Sequence, residues 1–213
     1  MKYENTTLFQ TATLYCHDID LDHDKILNEI KQLEYKPIYK TALLYENKIP
    51  TGTYITSNRT SIFNDITSGQ SIHNELSKHI HFAINEYYQY ITDFKITTNW
   101  VTRCEPKGVG EYHHHSNFWL TGCYYPHGTI EDKFYISFRR SLTNIYEPKR
   151  KNWNNLNSTT VEVFIKKGTL LIFPADLQHQ IGYNNTNQDR YSIAFNILPV
   201  GMLGEADGEY EFK

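Results

Sequence analysis

A chain of 213 residues, 39% hydrophobic and 21% charged, is long enough for a sizeable core and reads as one globular unit. A formal net charge of −3 excludes a general attraction to nucleic acid or an anionic membrane, and no apolar run approaches membrane-spanning length. Three irregularly spaced cysteines (Cys16, Cys104, Cys123) exclude a disulfide framework. With no leader-like pattern at the start, they point to reduced thiols in a cytoplasmic protein. The abundance of Asn, Ile, Lys and Tyr fits an AT-rich phage or bacterial genome.

The pattern opens with a strand near Thr11–Cys16. Asp18, Asp20, Asp22 and Asp24 then alternate. They lack the glycine and terminal glutamate of a calcium loop, and acidic residues favour a helix N-terminus. Ile26, Leu27, Ile30 and Leu33 follow at helical spacing, and the helix must end before Pro37. Ile38–Glu46 reads as a strand and Lys48–Asn64 as a polar loop. Ser71 is placed to cap a second helix, with Ile72, Leu76, Ile80, Ile84, Tyr87 and Ile91 as its buried stripe. His73, His79 and His81 on that helix lack the i, i+4 spacing of paired ligands and read as surface or rim residues.

From Thr97 the chain turns to short strands: Asn99–Cys104, Glu111–Asn117, Phe118–Tyr125, Phe134–Arg140, Thr160–Ile165, Thr169–Phe173, His179–Tyr183 and Arg190–Leu198. Such a series is expected of a sandwich or barrel. The longest insertion, Ser141–Ser158, carries Arg150, Lys151 and Trp153 and is placed for substrate contacts. The organisation expected is therefore one domain. Residues 1–96 form a mixed helical part, 97–200 a jelly-roll core, and 201–213 an acidic tail outside it.

Three consecutive histidines, His113, His114 and His115, stand between Gly110 and the apolar run Phe118-Trp119-Leu120. On an extended backbone His113 and His115 share one face and His114 takes the other. An H-x-H pair can chelate one metal ion with a third ligand from elsewhere. His179 is the candidate: Gly168 opens a buried apolar strand, Pro174 ends it, and His179 follows after a short bend. His114 and Asn117 remain alternatives to His115. Eleven positions beyond His179 come Arg190 and, on the same strand face, Ser192. A buried arginine needs an anion, and it binds carboxylates in bidentate fashion. Three facial protein ligands leave open positions on Fe(II) for a 2-oxo acid and dioxygen.

With these motifs the chain resembles the iron(II) and 2-oxoglutarate-dependent oxygenases, in particular a subgroup common in marine bacteria and phages. The resemblance lies in Asn99-Trp100-Val101, in His113 to Asn117, and in Leu120-Thr121-Gly122-Cys123-Tyr124-Tyr125. It continues through Gly168 to His179 and Arg190 to Asn196, so it covers about half the chain. It implies a mainly β fold with N-terminal helices, a double-stranded β-helix of the jelly-roll, cupin-like kind. It further implies Fe(II) held by His113, His115 and His179, and 2-oxoglutarate held by Arg190 and Ser192. Dioxygen and an unidentified protein or metabolite substrate complete the reaction, with succinate and CO2 released. A homodimer is one oligomeric form left open. One departure stands out: the superfamily's usual third ligand is a carboxylate, and here it is His115.

Two rivals share parts of the pattern. A cupin-type metalloenzyme shares the spacing of Gly168, Pro174 and His179, but no glutamate lies four or five residues after His115. It also has no standing need for Arg190 and Ser192. A non-enzymatic jelly-roll binding module predicts no transition metal at all.

Overall fold

The computed structural model describes residues 13–17, 19–42, 47–58, 60–129, 131, 134–140, 148–154 and 157–213. Thr11, Ala12, Asp18, the end of the expected second strand (43–46) and residues 141–147 of the long insertion lie outside the described residues.

The N-terminal half supplies β1 (Leu14–Cys16), α1 (His23–Ile30), β2 (Tyr35–Ala42), β3 (Asn47–Thr56) and α2 (Gly69–Phe82). Two of the aspartates act as expected: Asp22 caps α1 by accepting a hydrogen bond from the Lys25 backbone N–H at 3.0 Å, and Asp24 lies in its first turn. Helix α2 begins earlier than expected, with Ser68 rather than Ser71 at its N-cap. Gly69 is required there, because a Cβ would lie 1.7 Å from the Phe63 carbonyl oxygen. Ile72, Leu76, Ile80 and Ile84 are fully buried, each stabilising the fold by about 1.5–3 kcal/mol relative to an exposed side chain. The stripe then breaks. Ala83–Tyr87 winds as a π-helix, with the Tyr88 N–H bonded to the Ala83 carbonyl five residues back. The extra residue per turn swings Tyr87 and Ile91 off the buried face, and Ile91 is fully exposed.

The second half supplies β4 (Asp93–Cys104), β5 (Leu120–Tyr125), β6 (Tyr135–Arg139), β7 (Thr160–Phe164), β8 (Thr169–Pro174), β9 (Gln178–Ile181), β10 (Arg190–Leu203) and β11 (Tyr210–Phe212). A large sheet runs β1-β8-β5-β10-β4-β3-β2, with β11 added to β10, and a small sheet runs β7-β6-β9. All pairings are antiparallel. The sheets pack face to face: Leu171, Phe173 and Ala194 of the large one meet Ile136 and Phe138 of the small one in a single cluster. The result is the expected double-stranded β-helix, with α1 and α2 outside it.

Strand β10 divides the interior. Tyr191, Ile193, Phe195 and Ile197 face outward into a core shared with α1 and α2. Arg190, Ser192, Ala194 and Asn196 alternate with them and face into the barrel. Gly122 permits this packing, because a Cβ there would come within 2.3 Å of the Phe195 ring.

Two expectations are corrected. Lys48–Asn64 is not a loop throughout: Asn47–Thr56 is β3, paired along β2. Glu111–Asn117 is not a ladder strand, since it makes one isolated bridge, His113 to His179. The C-terminal tail carries β11, which pairs onto Gly201–Leu203.

Candidate active site

The segment that carries the three histidines is extended but pinned at only two places. The His113 N–H donates to the His179 carbonyl at 3.0 Å, and the His179 N–H donates back at 2.9 Å. The His115 N–H donates to the Ala175 carbonyl at 2.7 Å. That suffices to keep the alternation. His113, His115 and His179 converge with one ligand nitrogen each, all within 4.8 Å of one another. Among the described residues this is the one such grouping of metal-ligating side chains. His114 points away, exposed, with its Nε2 at 3.1 Å from the Ser116 hydroxyl. Asn117 is also exposed and outside the cluster.

Each imidazole is held through the same atom. The Nδ1 of His113 faces the Glu111 carbonyl at 2.9 Å, and that of His179 faces the Leu177 carbonyl at 2.9 Å. The Nδ1 of His115 faces the Asn196 side-chain oxygen at 2.5 Å. Opposite an acceptor, Nδ1 carries the proton, so Nε2 keeps its lone pair for a metal. Exposure falls across the set: His113 is exposed, His115 half-buried and His179 buried. Burial makes protonation costly. It pushes the pKa of His179 down to about 3 and lowers that of His115, so both are neutral at physiological pH. The rings of Phe173 and Phe138 pack on His179 at centroid distances of 4.9 and 6.3 Å.

Arg190 opens β10 and is buried, with 4% exposure. Its guanidinium donates to the carbonyls of Gly182, Tyr183 and Tyr135 at 2.9–3.2 Å and lies 3.9 Å from the Phe134 ring centroid. Among the described residues no carboxylate pairs with it. Asp189 turns instead to Arg103 at 3.2 Å. The Arg190 Nε has no partner. Burial lowers the Arg190 pKa to about 10, which still leaves it charged at neutral pH. Arg190 and Ser192 line one narrow cavity with Thr102, Cys104 and Tyr125. A roomier cleft of about 410 Å3 opens beside His127, Phe134 and Asn185, and reaches Arg190 from the end of the barrel. The histidine cluster is not part of it.

A cluster of three imidazoles and, among the described residues, a buried arginine without a carboxylate lie on one barrel interior. They suit a divalent metal and a dicarboxylate. Residues 98–196 match the family described as "Putative 2OG-Fe(II) oxygenase". This stretch, just under half of the chain, is similar to a 2OG-Fe(II) oxygenase core. The matched stretch begins in β4, ends at Asn196 and contains all five expected site residues.

No curated protein matches this sequence. Among solved structures it is similar to HygX from Streptomyces hygroscopicus with nickel and 2-oxoglutarate bound. The TM-score is 0.61 at 12% identity, over 89% of this chain and 83% of that one. It is also similar to a prolyl hydroxylase from Trichoplax adhaerens in complex with a hypoxia inducible factor peptide fragment, with a TM-score of 0.60 at 11% identity over 87% and 83%. An oxidoreductase of the 2OG-Fe(II) oxygenase family from Burkholderia pseudomallei gives a TM-score of 0.56 at 10% identity over 82% and 78%. At such identities the likeness speaks for the shared fold.

Asn196 had no role in the sequence reading beyond closing a motif. The signal was present: counting by twos from Arg190 through Ser192 and Ala194 puts an amide on the inner face of β10, where burial demands partners.

Proposed function

We propose that this protein is an Fe(II)- and 2-oxoglutarate-dependent dioxygenase in which His113, His115 and His179 hold the metal and Arg190, with Ser192, holds the distal carboxylate of 2-oxoglutarate. Its reaction is hydroxylation of a substrate C–H bond coupled to release of succinate and CO2. One observation carries the reading. The buried Arg190 lacks a carboxylate on the same barrel interior where three imidazoles offer free Nε2 atoms.

Iron, when bound, supplies the redox and dioxygen chemistry that no side chain provides. The protein's share is positional. Hydrogen bonds at Nδ1 hold each imidazole in the ligating tautomer before the metal arrives. Arg190 orients the dicarboxylate by charge and fork geometry, and the Ser192 hydroxyl adds a donor. Phe138 and Phe173 keep water from the His179 side of the site. Three neutral ligands leave the metal's charge less compensated than two histidines and a carboxylate do, so the centre retains Fe(II) more weakly and accepts Zn(II) more readily.

The substrate class is wide. Structural relatives of this fold include one with hygromycin B bound and one holding a peptide fragment, and the fold does not choose between them. The free cysteines, two of them buried, support a cytoplasmic setting.

The test is anaerobic addition of Fe(II) followed by 2-oxoglutarate. A visible metal-to-ligand charge-transfer band is expected with the wild type and with His114→Ala. It is expected to vanish in His179→Ala and to need far more 2-oxoglutarate in Arg190→Met. A wild type with no band overturns the proposal.

A further inference from the structure

Two of the three imidazoles are held by main-chain carbonyls, which no substitution of the residue that supplies them removes. The third is different. His115 Nδ1 meets a side chain, the Asn196 Oδ1, at 2.5 Å. Asn196 is itself buried, at 4% exposure, and its Nδ2 donates to the Thr98 hydroxyl at 2.9 Å. In this arrangement the NH2 group faces the Thr98 hydroxyl and the amide oxygen faces His115. A chain Thr98–Asn196–His115 therefore runs from β4 across β10 to the histidine segment.

The backbone is irregular beside this amide. The β10–β4 register shifts between Asn196 and Ile197. One extra residue of β4, Thr97, lies between the partners Thr98 and Ile96, and its hydroxyl donates to the Asn196 carbonyl at 3.3 Å. The extra residue lies on β4 directly beside the partner of Asn196, while the Asn196 side chain keeps the inward alternation of β10. On the other flank of His115 the Trp100 ring lies at a centroid distance of 5.8 Å and limits rotation of the imidazole.

We propose that Asn196 is a positioning residue for the metal centre: it fixes the tautomer and orientation of His115 and sets how strongly that ligand binds. The inference rests on the tri-histidine reading above. It makes the ligand in the usual carboxylate place the adjustable member of the set. The neutral amide holds His115 without adding charge, whereas a carboxylate at 196 makes the imidazole a stronger donor.

Co(II) titration of the full chain under argon tests this, read by visible d–d absorption and by the exchangeable imidazole proton signals shifted by the paramagnetic ion. Asn196→Ala is expected to weaken Co(II) binding by about 10–100-fold, to change the d–d envelope, and to show one fewer protected imidazole N–H signal than the wild type. Asn196→Asp, nearly isosteric, is expected to restore that signal and bind Co(II) more tightly than Asn196→Ala. Thr98→Val is expected to fall between Asn196→Ala and the wild type. If Asn196→Ala misfolds by circular dichroism, Asn196→Asp decides alone, and a d–d spectrum and affinity identical to the wild type overturn the proposal. So does a folded Asn196→Ala with unchanged affinity, spectrum and signal count. A wild type that gives no Co(II) bands overturns the tri-histidine reading instead.

Discussion

The two faces of β10 are built from the same backbone and are buried to nearly the same degree, yet they do opposite things. Outward, Ile193, Phe195 and Ile197 meet α1 and α2 in an apolar core with no exposed surface. Inward, Arg190, Ser192 and Asn196 are buried among polar demands that the protein meets only in part. Burial on the outer face stabilises the fold. Burial on the inner face holds a charge and oriented lone pairs away from water, where they are worth most to a ligand. The difference teaches where stability and chemistry separate in this molecule: at alternate residues of one strand.

That separation can be attacked from both sides. The largest effect is expected from His179→Ala, which should abolish uncoupled succinate formation while thermal unfolding of the metal-free protein stays cooperative. On the other face, Phe195→Ala should cost about 3–5 kcal/mol in chemical denaturation, with the charge-transfer band intact in whatever fraction remains folded. Arg190→Met should weaken 2-oxoglutarate by about 2–5 kcal/mol in calorimetric titration of a metal-loaded sample, with Co(II) affinity unchanged. Ser192→Ala should cost about 1 kcal/mol of 2-oxoglutarate affinity, roughly fivefold. His114→Ala, one residue from two ligands, should alter neither stability nor succinate yield beyond about 0.5 kcal/mol. If it damages the reaction as much as His179→Ala, the assignment of faces in the histidine segment is wrong.

Strand alternation made the site legible in the sequence: His113 with His115, and Arg190 with Ser192, fall together because side chains on an extended chain repeat every two residues. The histidine segment kept that alternation without a ladder, through three backbone hydrogen bonds. Elsewhere local signals misled. The polar run Lys48–Asn64 looked like a loop, and β3, which overlaps it, contains Pro50 and Gly52. Both are tolerated because β3 pairs with β4 only at Thr53–Ile55, so Pro50 owes no N–H to that neighbour. Gly52 adopts φ +68°, close against Gly108. The helical stripe was right as far as Ile84 and failed at Tyr87 and Ile91, because a π-turn has no signature in hydrophobic spacing. Asn196 was visible as a letter in a motif. Its partner His115 lies 81 residues away, and a hydrogen bond over that separation is invisible to periodicity.

The paired backbones of His113 and His179 have a consequence for exchange. Because these two proposed ligands are bonded to each other through their main chains, an arriving ion would have little chain to order, and its binding energy would not be consumed in folding. The apoprotein is therefore a persistent species rather than an unfolded one. Chelators should strip the ion without lowering amide-exchange protection in β9, and a different divalent ion can be loaded afterwards, so the metal in residence follows supply.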